Sequence, residues 1–186
     1  SADAAALVRA LQKICGIKLS DDQLYQIAEK TGSDVFFFMN CDDEGKGCAL
    51  VSGRGEVVKR IIPRTDLFLL LIFPKLSSST KEAYDLVDEY LMREDKVRGP
   101  SISELEAIYR SDVKTWNLIN TFTPALSKKI KEIDATLADL KKVGSEYVEM
   151  SGSGSTVFGV YTLEQQATDS YNLLAEFWNC KIARVV

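Results

Sequence analysis

The run LFLLLIF, Leu67 to Phe73, is apolar at every position. A β-strand sends successive side chains to opposite faces, so an unbroken apolar run needs cover on both sides. It is far shorter than the ~20 residues that a helix needs to cross a bilayer. The run therefore predicts a central strand in a sheet with both faces packed. The rest of the chain has to supply that cover.

Downstream, the stretch Thr80 to Met92 is amphipathic through Ala83, Leu86, Val87, Tyr90 and Leu91, with SSST and Glu82 as a capping start and Gly99-Pro100 as a stop. Further helices are predicted near Ile102 to Tyr109 and near Lys114 to Phe122. A longer one carries Leu126, Ile130, Ile133, Leu137 and Leu140 and ends at Gly144. The tail reads as strand EYVEM, a Ser/Gly turn, strand TVFGVY, a helix from about Leu163 to Trp178 capped by Thr162 with Gln165, and strand KIARVV. That order makes residues 63–186 an α+β domain, a ferredoxin-like split βαβ core with inserted helices.

Residues 1–62 read differently. A helical stripe through Ala4, Leu7, Val8, Leu11 and Ile14 begins at once, without an initiator Met, so further sequence is expected upstream. A second helix, Asp21 to Thr31, has Ser20 and Gln23 as a capping box and Gly32 as its stop. VFFFM and GCALVSGRGEVVKRII then read as short antiparallel strands.

Composition removes several functions. The 186 residues are 46% hydrophobic and 27% charged, with a formal net charge of -4, which disfavours nucleic acid or an anionic membrane as the partner. Lys128, Lys129, Lys131, Lys141 and Lys142 alternate with Glu132, Asp134 and Asp139, the pattern of a solvated helix face. With no histidine, zinc sites of the Cys/His kind and Ser-His or Cys-His nucleophiles are excluded. Cys15, Cys41, Cys48 and Cys180 form no CxxC pair and read as reduced thiols of a cytoplasmic protein.

Three stretches can carry chemistry. In MSGSGSTVFGVY, Gly152 and Gly154 make either a plain hairpin turn or a nest of backbone N–H groups facing an anion, with Ser151, Ser153 and Ser155 as added donors. In TGSDVFFF, Asp34 either caps neighbouring backbone or holds the proton of a substrate hydroxyl. In SADAAA, Ser1 is either an ordinary helix cap or the end of a phosphate-binding loop.

In order and spacing these stretches resemble the GHMP kinases. SADAAA is similar to the end of that family's Gly-Gly-Gly-Ser-Ser-(Asp/Asn)-Ala-Ala loop, TGSDVFFF to its Gly-Ala-Asp-Val-Pro-Phe-Phe segment, SGRGE to its Gly-x-Gly-Glu, and MSGSGSTVF to its glycine-rich third motif. The resemblance implies ATP, with Mg²⁺, phosphorylating a small alcohol. Within the family it points to the members of non-mevalonate isoprenoid biosynthesis that act on a cytidine diphosphate-linked methylerythritol; mevalonate- or homoserine-type acceptors, or a non-catalytic ferredoxin-like ligand-binding module, remain alternatives. It implies Asp34 as the catalytic acid, Ser1, Gly152, Ser153, Gly154 and Ser155 on the ATP phosphates, and Thr80 and Tyr84 near the substrate's cytidine, although a core role for Tyr84 stays open. Residues 1–62 would then be a remnant of the N-terminal ATP-binding domain and 63–186 the family's C-terminal domain. The missing N-terminal part of the protein would hold most of the ATP loop, leaving this chain inactive alone.

Overall fold

Ser20 and Gln23 do form a reciprocal capping box in the computed structural model of the chain: Gln23 N–H donates to Ser20 Oγ at 3.3 Å and Ser20 N–H to Gln23 Oε1 at 2.9 Å. The structure describes residues 1–42, 44–76, 79–93 and 99–185, with only the backbone of Arg93. These fall into two units, Ser1–Pro63 and Arg64–Val185.

The first unit contains α1 (Ala2–Cys15), α2 (Asp21–Thr31), α3 (Ser33–Met39) and the antiparallel hairpin β1 (Ala49–Ser52) and β2 (Val57–Arg60). Helix α3 corrects the expectation of a strand at VFFFM. Val35, Phe36 and Met39 pack with Ala28, Ala4 and Val58, and the Phe36 ring lies 5.1 Å from that of Tyr25. Positions i, i+1 and i+4 share one side of a helix but not of a strand. Burial thus overrides the β-preference of Val and Phe. The helix C-terminus is secured by the Arg9 guanidinium, whose Nη2 donates to the carbonyls of Phe38 at 2.7 Å and Cys41 at 3.0 Å.

The second unit contains β3 (Phe68–Ile72), α4 (Thr80–Arg93), α5 (Ile102–Arg110), α6 (Phe122–Lys129), α7 (Lys131–Lys142), β4 (Tyr147–Met150), β5 (Val157–Tyr161), α8 (Glu164–Leu174) and β6 (Cys180–Arg184). The sheet runs β4-β5-β3-β6 with every neighbour antiparallel, the ferredoxin-like order. LFLLLIF supplies the interior strand β3. Leu70 and Ile72 are fully buried beneath Ala83, Leu126, Ile133, Leu140 and Leu174 of the helices. The opposite face carries Leu67, Leu69, Phe158 and Val160, covered by Tyr109, Val113 and Trp116. Each large side chain so buried contributes about 1.5–3 kcal/mol.

Several helix boundaries differ from expectation, α8 among them, which ends at Leu174 rather than Trp178. Lys114 to Phe122 is not a helix: a single 3-10 turn spans Val113–Thr115, and the chain then extends so that Trp116 can join the aromatic layer. Pro124 instead sits in the first turn of α6, where a missing N–H leaves no gap. The long helix is broken at Ile130, whose φ of -114° and ψ of 100° are extended, into α6 and α7. Thr162 does not cap α8; its N–H and hydroxyl both donate to Glu146 Oε1 at 2.7 Å. Among the described residues no helix is long and apolar enough to cross a membrane, and all four cysteines are free thiols.

Candidate functional site

In the first unit, α2 ends and α3 begins around Gly32, whose φ of 152° lets the chain pass directly between them. Asp34 is therefore an exposed residue in the first turn of α3, where the helix dipole favours its negative charge. Behind it, Gly55 of the β1–β2 turn lies so close that an added Cβ would sit 2.8 Å from the Ser33 carbonyl carbon. Ser1 stands at the N-cap of α1 without a side-chain capping bond, its carbonyl accepting from Ala5 N–H at 3.1 Å. Helix α1 packs on α3, so Ser1 and Asp34 belong to one helical layer.

In the second unit the glycine turn joins β4 to β5. It is closed by Ser151 N–H donating to the Thr156 carbonyl at 2.8 Å and Gly154 N–H to the Ser151 carbonyl at 3.0 Å. Gly154 has φ 86°, a conformation that favours glycine, and a Cβ there would lie 2.8 Å from Met150 Sδ, so the Met150 side chain would have to shift to admit one. No hydrogen bond among the described residues takes up the N–H groups of Gly152, Ser153 and Ser155. That donor set suits phosphate oxygens.

The turn is gripped from outside by residues that inspection of the sequence missed. Asn120 Nδ2 donates to the carbonyls of Met150 and Gly152, both at 2.8 Å, while its Oδ1 accepts from Phe122 N–H at 3.0 Å. Glu149 accepts Asn120 N–H at 3.2 Å on Oε2; its Oε1 accepts Met150 N–H at 2.8 Å and the Thr123 hydroxyl. A cleft of about 110 Å³ opens on this network beside Tyr90, Ile119 and Pro124. Burial, and then the Glu149 charge, push the Tyr147 phenol well above its ordinary pKa; its O–H donates to the Leu118 carbonyl at 2.9 Å.

Thr80 and Tyr84 lie one turn apart on α4. Tyr84 is 57% exposed and meets Phe122 edge to face, with centroids 5.0 Å apart. Phe122, Asn120 and Gly152 thus connect Tyr84 to the glycine turn. Among the described residues, no group of three acidic or thiol side chains could hold a metal ion.

Two family models match the chain: GHMP kinases N terminal domain over residues 1–41 and GHMP kinases C terminal over residues 93–179. Together they take in more than half of it. The chain belongs to the GHMP kinases. Among GHMP kinase relatives, it is 33% identical over 193 residues to 4-diphosphocytidyl-2-C-methyl-D-erythritol kinase of Treponema pallidum, covering 100% of this chain and 64% of the relative. The enzyme of the same name from Bacillus pumilus is 34% identical over 180 residues, covering 95% and 59%. A crystal structure of 4-(cytidine 5'-diphospho)-2C-methyl-D-erythritol kinase superposes with a TM-score of 0.74 at 25% identity, over 97% of this chain and 62% of that one. The chain therefore spans 59–64% of the length of these relatives.

Proposed function

We propose that the intact protein transfers the γ-phosphoryl group of ATP to a hydroxyl of 4-diphosphocytidyl-2-C-methyl-D-erythritol. The observation that carries this reading is the 33% identity, across the whole chain, to a kinase named for that substrate. Phosphoryl transfer asks a protein mainly to align the reactants and neutralise developing charge. Asp34, exposed at a helix start, would orient the attacking hydroxyl and accept its proton. The unengaged N–H groups of Gly152, Ser153 and Ser155, with Ser1, match the phosphates in chemistry. Tyr84, exposed and steadied by Phe122, offers a ring face or edge to the cytosine, with Thr80 beside it. Mg²⁺ would arrive with the ATP phosphates, which carry it to such sites.

The test is coupled ADP release by the intact protein with ATP, Mg²⁺ and a panel of acceptors. Turnover with the cytidyl substrate, and a fall of about 100-fold or more in Asp34→Asn, is expected. Transfer to homoserine or mevalonate instead would reassign the acceptor. Absence of transfer to any of them would refute the kinase reading.

A further inference from the structure

We infer that Asn120 is a positioning residue for phosphoryl transfer, setting the direction in which the glycine turn presents the Ser153 N–H. The inference rests on the kinase reading above. The turn has two internal backbone bonds, and Gly152 sits at φ 54° with open space where a Cβ would be. Such a segment has little stiffness of its own. Its conformation is imposed by the Asn120 amide, whose two N–H groups are divided between the Met150 and Gly152 carbonyls.

Peptide planarity carries the consequence outward. The Gly152 carbonyl and the Ser153 N–H belong to one trans peptide unit, so they point in opposite directions. Pulling that carbonyl toward Asn120 aims the Ser153 N–H away from it. Asn120 is itself pinned, through its own N–H by Glu149 and through Oδ1 by Phe122 N–H. Glu149 also holds Met150 N–H at the turn's entrance, so one carboxylate secures both the clamp and what it clamps. Two carbonyls facing one side chain require two donors, which Asn has and Asp lacks.

The test is Asn120→Asp in the intact protein. The variant keeps the acceptor for Phe122 N–H but turns a carboxylate oxygen toward two carbonyls. We expect kcat at pH 8 to fall about 10- to 100-fold, the effect of misplacing one transition-state donor, with acceptor KM within about threefold of wild type. The ratio of variant to wild-type kcat should rise as pH falls toward 5, because a carboxylic acid regains one donor and the open cleft lets it exchange protons. A flat ratio, or kcat within twofold of wild type, would overturn the inference. Nitrogen-15 spectra of serine-labelled protein read the hold without catalysis: the Ser153 amide signal should move, and an unmoved signal sinks the inference even if no acceptor is ever phosphorylated. Should Asn120→Asp not fold, Glu149→Gln carries the test, with kcat down about three- to tenfold and KM unchanged; unaltered kcat there refutes it.

Discussion

Replacing Gly55 by Ala isolates how closely the β1–β2 turn supports the start of α3, and Gly16→Ala is its control. Both glycines have positive φ, 111° and 64°. A Cβ at Gly16 meets nothing within 4 Å, whereas at Gly55 it would lie 2.8 Å from the Ser33 carbonyl carbon and 3.0 Å from its Cα. Those are backbone atoms, fixed by Val35, 1% exposed, and by Val35 N–H donating to the Gly32 carbonyl at 3.0 Å. They cannot rotate away as a side-chain tip would. Left-handed strain costs about 1–2 kcal/mol for an L-residue, partly offset by ~0.4–1 kcal/mol from the stiffer unfolded chain. Gly16→Ala should therefore lose about 1 kcal/mol. Gly55→Ala adds an overpacking cost of about 1–3 kcal/mol. At about 2–4 °C per kcal/mol for a chain of this size, thermal unfolding should fall by some 2–4 °C in the control and about 4–16 °C in Gly55→Ala. The shifted α3 start also moves Asp34, so on the role proposed for that residue kcat of the intact protein should drop about tenfold or more in Gly55→Ala alone. Equal losses of stability in the two variants would refute the close approach.

Tyr147→Phe should cost about 1 kcal/mol at neutral pH through the unsatisfied Leu118 carbonyl. The phenol's folded pKa is raised, so its contribution is complete below the ordinary value of about 10 and is lost as pH rises beyond it. Urea midpoints of wild type and variant should converge between pH 9.5 and 11.5, and parallel curves would contradict the burial. Arg64 grips Asp66 through Nε at 3.1 Å and Nη2 at 2.6 Å, and also donates to the Tyr109 and Ser111 carbonyls. Arg64→Ala should lose about 1–3 kcal/mol by urea unfolding; a loss below ~0.5 kcal/mol would show these bonds to be idle. The side-chain hydrogen bond from Arg64 lowers the Asp66 pKa, so that carboxylate's contribution is full above about pH 4 and fades as pH falls through the depressed folded value. With Asp66 57% exposed, Asp66→Asn should show an acid-dependent part of no more than ~0.5 kcal/mol.

What could be read in advance divides by the distance between interacting groups along the chain. The box at Ser20 and Gln23 is legible because both partners lie in one turn. LFLLLIF is legible because two apolar faces allow only an interior strand. VFFFM was not, because its letters satisfy a strand by propensity and a helix by burial, and the choice is made by Ala4, Ala28 and Val58 elsewhere in the chain. Asn120 was hidden for a related reason. Placed inside an expected helix from Lys114 to Phe122, it reads as a surface polar residue, and its two partners lie 30 and 32 residues later. Glu149 was concealed in turn by the alternation of a strand. Pro124 was the one local clue. A proline in a helix's first turn dates the start of that helix to within a few residues, leaving Asn120 outside it with its amide uncommitted to helix surface. An uncommitted amide in a folded protein needs partners, and a glycine turn whose own bonds are few has carbonyls to offer. The clamp was thus inferable as a need on each side, though only the fold could match them.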